Sequence, residues 1–183
     1  MNMRMVRYIV TLALFLLPSL AARGESISTL VVVGGHAYDT TEFLELFSSF
    51  RGIDFEIASH PDAFEILGSK KIHQFDAVVF YDYIPAWPLK DSTALLEMVD
   101  TGIPMLLLHH SLCNFQRWPR FQEVVGGRYV ISEFETDSAI HSSYQHDLIL
   151  HIKVLDPLHP ITEGMEDFTI HDEGYHNLQM EEG

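Results

Sequence analysis

Three short segments bring together imidazole, carboxylate and phenol groups: Gly34-Gly35-His36-Ala37-Tyr38-Asp39, Tyr81-Asp82-Tyr83 and His109-His110-Ser111. Imidazole titrates near neutrality and can take or give a proton at physiological pH. A carboxylate can orient an imidazole or bind hydroxyls, and a tyrosine ring can stack on a sugar while its hydroxyl donates a hydrogen bond. A second concentration lies later in the chain, in His159-Pro160-Ile161-Thr162 and His171-Asp172-Glu173-Gly174-Tyr175-His176. Its Asp-Glu pair beside two histidines could supply an acid, a base or metal ligands, although taken alone it also reads as a polar surface loop. The spacing carries no metal signature, with neither His-Glu-x-x-His nor Cys-x-x-Cys present. Phosphate binding is disfavoured because G-x-G-x-x-G and the P-loop lysine are both absent.

These segments acquire meaning from the elements that must position them. Leu30–Val33 reads as a short β-branched strand ending at Gly34-Gly35, a tight βα turn. Thr40 or Thr41 can cap a helix whose apolar face holds Phe43, Leu44, Leu46, Phe47 and Phe50, with Gly52 at its end. Asp54–Ala58 is a second strand. Pro61 and Asp62 open a helix through Leu67, stopped by Gly68. Ala77–Tyr81 is a third strand, a helix runs from about Asp91 to Val99, and Pro104–His109 is a fourth strand. A short helix spans Trp118–Val125, and Leu148–Leu155 and Phe168–Ile170 are later strands.

Short apolar strands alternating with helices imply βαβ units and an α/β fold: a flavodoxin-like, open, mostly parallel sheet with helices on both faces, in the order 2-1-3-4 onward. Such sheets bind ligands beyond the carboxyl ends of their strands, where the winding reverses. The loops after strands one, three and four should therefore gather there, giving His36, His110, Asp82, Ser111, Gly35 and Tyr38 a common crevice. On a strand, adjacent His109 and His110 point to opposite faces, so at most one meets a ligand directly. His36 equally suits a hydrogen-bonding role at the helix terminus, and Tyr81 a core role. Asp82 is the stronger candidate, because a carboxylate at a strand end needs solvent or a partner.

Composition narrows the classes. The 183 residues fit one domain, and 11 basic against 26 acidic residues give a formal charge of −15. That balance argues against nucleic-acid or anionic-membrane partners and is compatible with a neutral ligand such as a sugar. Cys113 is the one cysteine, so no internal disulfide can form. Arg4 and Arg7, the apolar run Tyr8–Leu17, the break at Pro18-Ser19 and the small residues Ala21 and Ala22 make a tripartite secretory signal. The run is too short to span a membrane, which takes roughly 20 residues. The expectation is a signal peptide over residues 1–22, export to a periplasmic or extracellular location, no membrane attachment after cleavage, and a single α/β domain over 25–183.

The order of motifs resembles the ThuA-like (trehalose-utilisation) family, a flavodoxin-like group related to class I glutamine amidotransferases. The resemblance rests on the strand leading into Gly34-Gly35-His36, on LLLHHSLCNFQRWPRFQEVVGGRY (106–129), SYQHD (143–147), DPLHPITEGMEDF (156–168) and IHDEGY (170–175), and covers nearly the whole mature chain. It implies a role in sugar catabolism, on trehalose and related glycosides. Carried over by motif, it implies a pocket of His36, His110, Ser111, His159, Asp172, Glu173 and Tyr175. Family members continue past the Asp-Glu-x-Tyr segment, so the expectation is that one or two strand–helix units are missing after Gly183, leaving a sheet edge unpaired and the pocket incomplete.

Two functions follow as expectations. The first is an enzyme on a glycoside or keto sugar, in which His36 or His110 moves a proton with Asp172 or Glu173 as partner, while Gly35, Tyr38, Asp82, Ser111, His159 and Tyr175 bind substrate. No cofactor is established, and a divalent metal held by histidines and a carboxylate is compatible with these residues. The second is a non-catalytic carbohydrate-binding or interaction module. A glutamine-amidotransferase-like hydrolase fits poorly, because the strand-to-helix elbow that would carry the nucleophile holds His109-His110-Ser111. Cys113 lies beyond it, as a buried small hydrophobe.

Overall fold

The computed structural model describes residues 26–86 and 92–181. The segment read as a signal peptide lies outside them. Among the described residues no helix is long and apolar enough to cross a membrane.

Four parallel strands form the central sheet: β1 (Ile27–Gly34), β2 (Ile53–Ser59), β3 (Ala77–Asp82) and β4 (Met105–Leu107), in the order β2-β1-β3-β4. This is the flavodoxin-like α/β arrangement expected from the sequence. The uninterrupted run Leu30-Val31-Val32-Val33 is buried throughout, as a strand covered on both faces requires. Leu30 and Val32 point into a core shared with Val78, Phe80, Leu67, Met98 and Phe121, where α2 (Ala63–Leu67), α3 (Ser92–Asp100) and α4 (Pro119–Val125) pack. Val31, Val33 and Val79 point the other way, toward Phe47 of α1 (Thr40–Ser49).

The cap of α1 differs from expectation. Neither Thr40 nor Thr41 fills it: Asp39 does, its carboxylate accepting from the Thr41 and Glu42 amides at 3.0 Å each. One short acidic side chain thus satisfies two of the amides a helix start leaves unpaired. Asp39→Ala is expected to lower stability by about 1 kcal/mol, read as a shift in urea midpoint at unchanged slope. The apolar face of α1 is also narrower than its sequence suggests. Phe47 is buried and Phe43 packs against the same cluster, whereas Leu44, Leu46 and Phe50 are about half exposed.

β4 is shorter than the predicted Pro104–His109. The last ladder bond runs from the Leu108 amide to the Phe80 carbonyl at 2.9 Å. The chain then tightens into a 3-10 turn over His109–Cys113, with His109 at φ +51°. Leu106, in the middle of β4, is 54% exposed.

The second half of the chain builds a separate antiparallel ribbon from β6 (Ser143–Ile152) and β7 (Phe168–His176). Both are longer toward the IHDEGY and SYQHD motifs than expected, so Asp172, Glu173 and Tyr175 sit on a strand and not on a loop. A two-residue ladder joins β5 (Gly127–Arg128) to β8 (Gln179–Met180). Ser142 ties the base of the ribbon to the body, its Oγ accepting from the Val130 amide at 2.9 Å and donating to the Asn177 carbonyl at 2.8 Å.

Candidate functional site

The loops after β1, β3 and β4 meet at the carboxyl edge of the sheet. The first is locked to the second by a bond from the Tyr83 amide to the Gly34 carbonyl at 2.8 Å. Gly35, at φ +83°, lies so close to the Tyr83 backbone that a Cβ there would be 1.8 Å from its carbonyl oxygen. Gly35 is thus a packing glycine between two loops. The turn aims His36 at Tyr81 and His110, each with ring centroids 4.9 Å from its own.

His109 and His110 do not lie on a strand and do not point to opposite faces. In the 3-10 turn their rings lie 3.9 Å apart at 31°, close to parallel. Both border one cavity of about 720 Å³. The turn is held from below by Asp82. Ser111 Oγ and Asn114 Nδ2 each donate to Asp82 Oδ1 at 2.7 Å, and His60 Nε2 lies 2.8 Å from Oδ2. Asp82 is 1% exposed and Ser111 0%. Their polar atoms face each other beneath the cavity wall, fixing the end of β3 to the histidine turn. Hydrogen bonds to a buried carboxylate are worth more than neutral ones, so this network stiffens the turn.

The opposite wall comes from β7. Tyr175 Oη lies 2.6 Å from His109 Nε2 and donates to Glu173 Oε2. Glu173 Oε2 is 3.5 Å from His109 Nε2, and its Oε1 is 2.9 Å from His146 Nδ1 on β6. Asp172 also borders the cavity. Of the residues predicted from sequence, His110, Asp172, Glu173 and Tyr175 line one cavity, with His36 directly against His110. Tyr38 packs among Phe43 and Tyr81 and does not line it. His159 lies in the β6–β7 connection, also away from the lining, where its Nδ1 accepts from the Ile161 amide at 3.2 Å.

Tyr83, from one of the three segments expected to converge, lines the wall, whereas sequence reasoning passed over the wall residues Tyr129, Tyr144, Glu133 and His146 as site candidates. Tyr129, Tyr144 and His146 fall within the motifs already quoted, the one signal that could have found them. Tyr129 meets Tyr175 edge-on at 6.0 Å and 89°.

Electrostatics set the protonation states. Burial, then the neighbouring His109 and His36, lower the His110 pKa, against a smaller opposing pull from Glu173. His110 is therefore a neutral imidazole at pH 7. Burial and the hydrogen bond to Glu173 raise the Tyr175 pKa, and burial raises those of Tyr83 and Tyr129, so these phenols keep their protons. Burial pushes the Cys113 thiol up to about 12, which leaves no thiolate for nucleophilic work. His36 Nε2 and His110 Nδ1 are buried with no hydrogen-bond partner among the described residues. No three His, Cys, Asp or Glu side chains among those residues are arranged to hold a metal ion. In an NMR titration, the His110 ring is expected to protonate below the ordinary histidine value of about 6.5. The sign follows from the folded state binding fewer protons than the unfolded: the His110 contribution is intact above that value and is lost as pH falls through the lowered one.

An open parallel sheet with imidazoles at its carboxyl edge, facing a carboxylate and a phenol from an antiparallel ribbon, defines a flavodoxin-like α/β protein with a cavity lined by titratable groups. Residues 29–183 match the family model ThuA, described as trehalose utilisation, and the chain belongs to that family. Among solved structures it is similar to a ThuA-like protein from Parabacteroides merdae, at 17% identity and a TM-score of 0.65. The match covers 85% of this chain and 64% of that one, so this chain spans under two thirds of that protein's length. No curated protein matches the chain.

Proposed function

We propose that the protein acts on a glycoside or an oxidised (keto) sugar by proton transfer, as one step of sugar catabolism. Membership of a trehalose-utilisation family supports the sugar-related role. The observation that carries the chemistry is the chain His109 Nε2···Tyr175 Oη···Glu173 beside a neutral His110 in one cavity. His110 takes a proton from a substrate hydroxyl or from a carbon next to a carbonyl. His109 lies against it; once its Nδ1 also holds a proton, its Nε2 proton can pass through the Tyr175 hydroxyl to Glu173, leaving a neutral imidazole. Tyr83 and Tyr129 offer ring faces and neutral hydroxyls to a sugar, and Asp172 an acceptor for its hydroxyls. The signal-like N-terminus supports action outside the cytoplasm.

The test is incubation with trehalose, simple glucosides and their 3-keto derivatives, followed by NMR. Turnover that disappears in His110→Asn and His109→Asn supports the reading. Full activity without both imidazoles removes it, and tight sugar binding with no turnover points to the non-catalytic carbohydrate-binding module instead.

A further inference from the structure

β6 and β7 pair regularly except at one place. Gln145 opposes Gly174 and Leu148 opposes Asp172, so His146 and Asp147 together face the single residue Glu173. Such a bulge bends its strand and re-aims a side chain, and bulges gather beside active sites. Here Asp147 takes a left-handed backbone at φ +59°, which L residues adopt reluctantly. The unfavourable conformation has a visible product: His146 Nδ1 rests 2.9 Å from Glu173 Oε1, with the His146 ring 5.2 Å from that of Tyr144. The two partners differ sharply in access to water, since the Glu173 side chain is 15% exposed and that of His146 69%. Glu173 Oε2 meanwhile faces inward, to Tyr175 and His109.

We infer that this bulge makes His146 the residue through which Glu173 exchanges protons with bulk water. The inference rests on the acid–base reading of the cavity and adds the route by which that cavity is reset. A proton arriving from Tyr175 lands on Glu173 Oε2; rotation of the carboxyl group carries it to Nδ1 of the His146 ring, and the proton on Nε2 leaves to water. Glu173 regains its charge and His146 is left as the other neutral tautomer. His146 acts through the Glu173 carboxylate that it touches, so it is a positioning and relay residue.

The experiment compares turnover of a 3-keto-glucoside by the unsubstituted protein, His146→Ala and His146→Gln. Both variants should lose about tenfold in kcat with KM unchanged. Millimolar imidazole should restore His146→Ala, because a free base can enter the space and carry the proton. Glutamine keeps a hydrogen-bond donor but carries no proton, so recovery by His146→Gln alone would overturn the relay, as would unchanged turnover or a loss confined to KM. Turnover by the unsubstituted protein that ignores His146 defeats this inference and leaves the acid–base reading standing; no turnover of any sugar defeats both. Independently of turnover, Glu173→Gln should shift the ring ¹⁵N signals of His146 and leave those of His151, bonded to Thr169, in place. Unmoved His146 signals would remove the contact on which the relay depends.

Discussion

On the proposed acid–base function, replacing Glu173 by glutamine is expected to lower turnover of a keto-glycoside by roughly 10²–10⁴-fold, the span usual for loss of a positioned acid–base group. The substitution keeps the shape of the side chain and an oxygen able to accept from Tyr175. It removes the capacity to hold a proton and the negative charge between His109 and His146, which lie 3.5 and 2.9 Å away. The wall itself survives, because β7 is fixed by its ladder to β6 and not by the carboxylate. The thermal midpoint should therefore stay within about 4 °C of the parent, equivalent to about 1 kcal/mol in a chain of this size. The two readings must be taken together. A variant that melts normally and retains more than a tenth of its turnover would remove Glu173 from the chemistry.

The largest expected effect on stability belongs to Gly35→Ala. A Cβ there would stand 1.8 Å from the Tyr83 carbonyl oxygen and 2.6 Å from its carbon, distances that no side-chain rotation can relieve. The Tyr83 loop cannot simply retreat either, since its amide is bonded to the Gly34 carbonyl. The cost should exceed about 4 kcal/mol, among the most severe single changes and a large share of the 5–15 kcal/mol that holds a typical domain together. Gly52→Ala is the matched control. Gly52 has a similar φ of +77°, but nothing lies within 4 Å of its added Cβ. It should show only the backbone penalty of about 1–2 kcal/mol. Urea denaturation of both variants separates steric collision from backbone strain. Equal losses would show that the loop contact contributes nothing.

The central sheet was legible because its strands announce themselves. A run such as Leu30–Val33 has few other stable uses, and the crossover rules leave few ways to order four such strands. The carboxyl-edge rule then drew His36 and His110 together before any geometry was known, and their rings lie 4.9 Å apart. Other features were illegible for physical reasons. The early end of β4 depends on the Asp82 network pulling the chain into a turn, and that network joins residues about thirty positions apart. Without that turn, His109 reads as a strand residue facing away from the ligand. Asp82 itself satisfied the rule that a strand-end carboxylate needs a partner, but its partners are internal. The bulge at His146 is a two-against-one mismatch between strands, visible only once their register is set.

The site is assembled from two structural units of different rigidity. His36, His109 and His110 stand on turns at the edge of the buried parallel sheet, and Glu173, Tyr175 and His146 stand on a two-stranded ribbon that such pairing alone holds weakly in water. Transient lifting of that ribbon separates proton donor from acceptor while the sheet stays intact. Amides of β6 and β7 should thus exchange with solvent far sooner than those of β1 and β3, and the protein should lose competence at denaturant levels that leave its core folded.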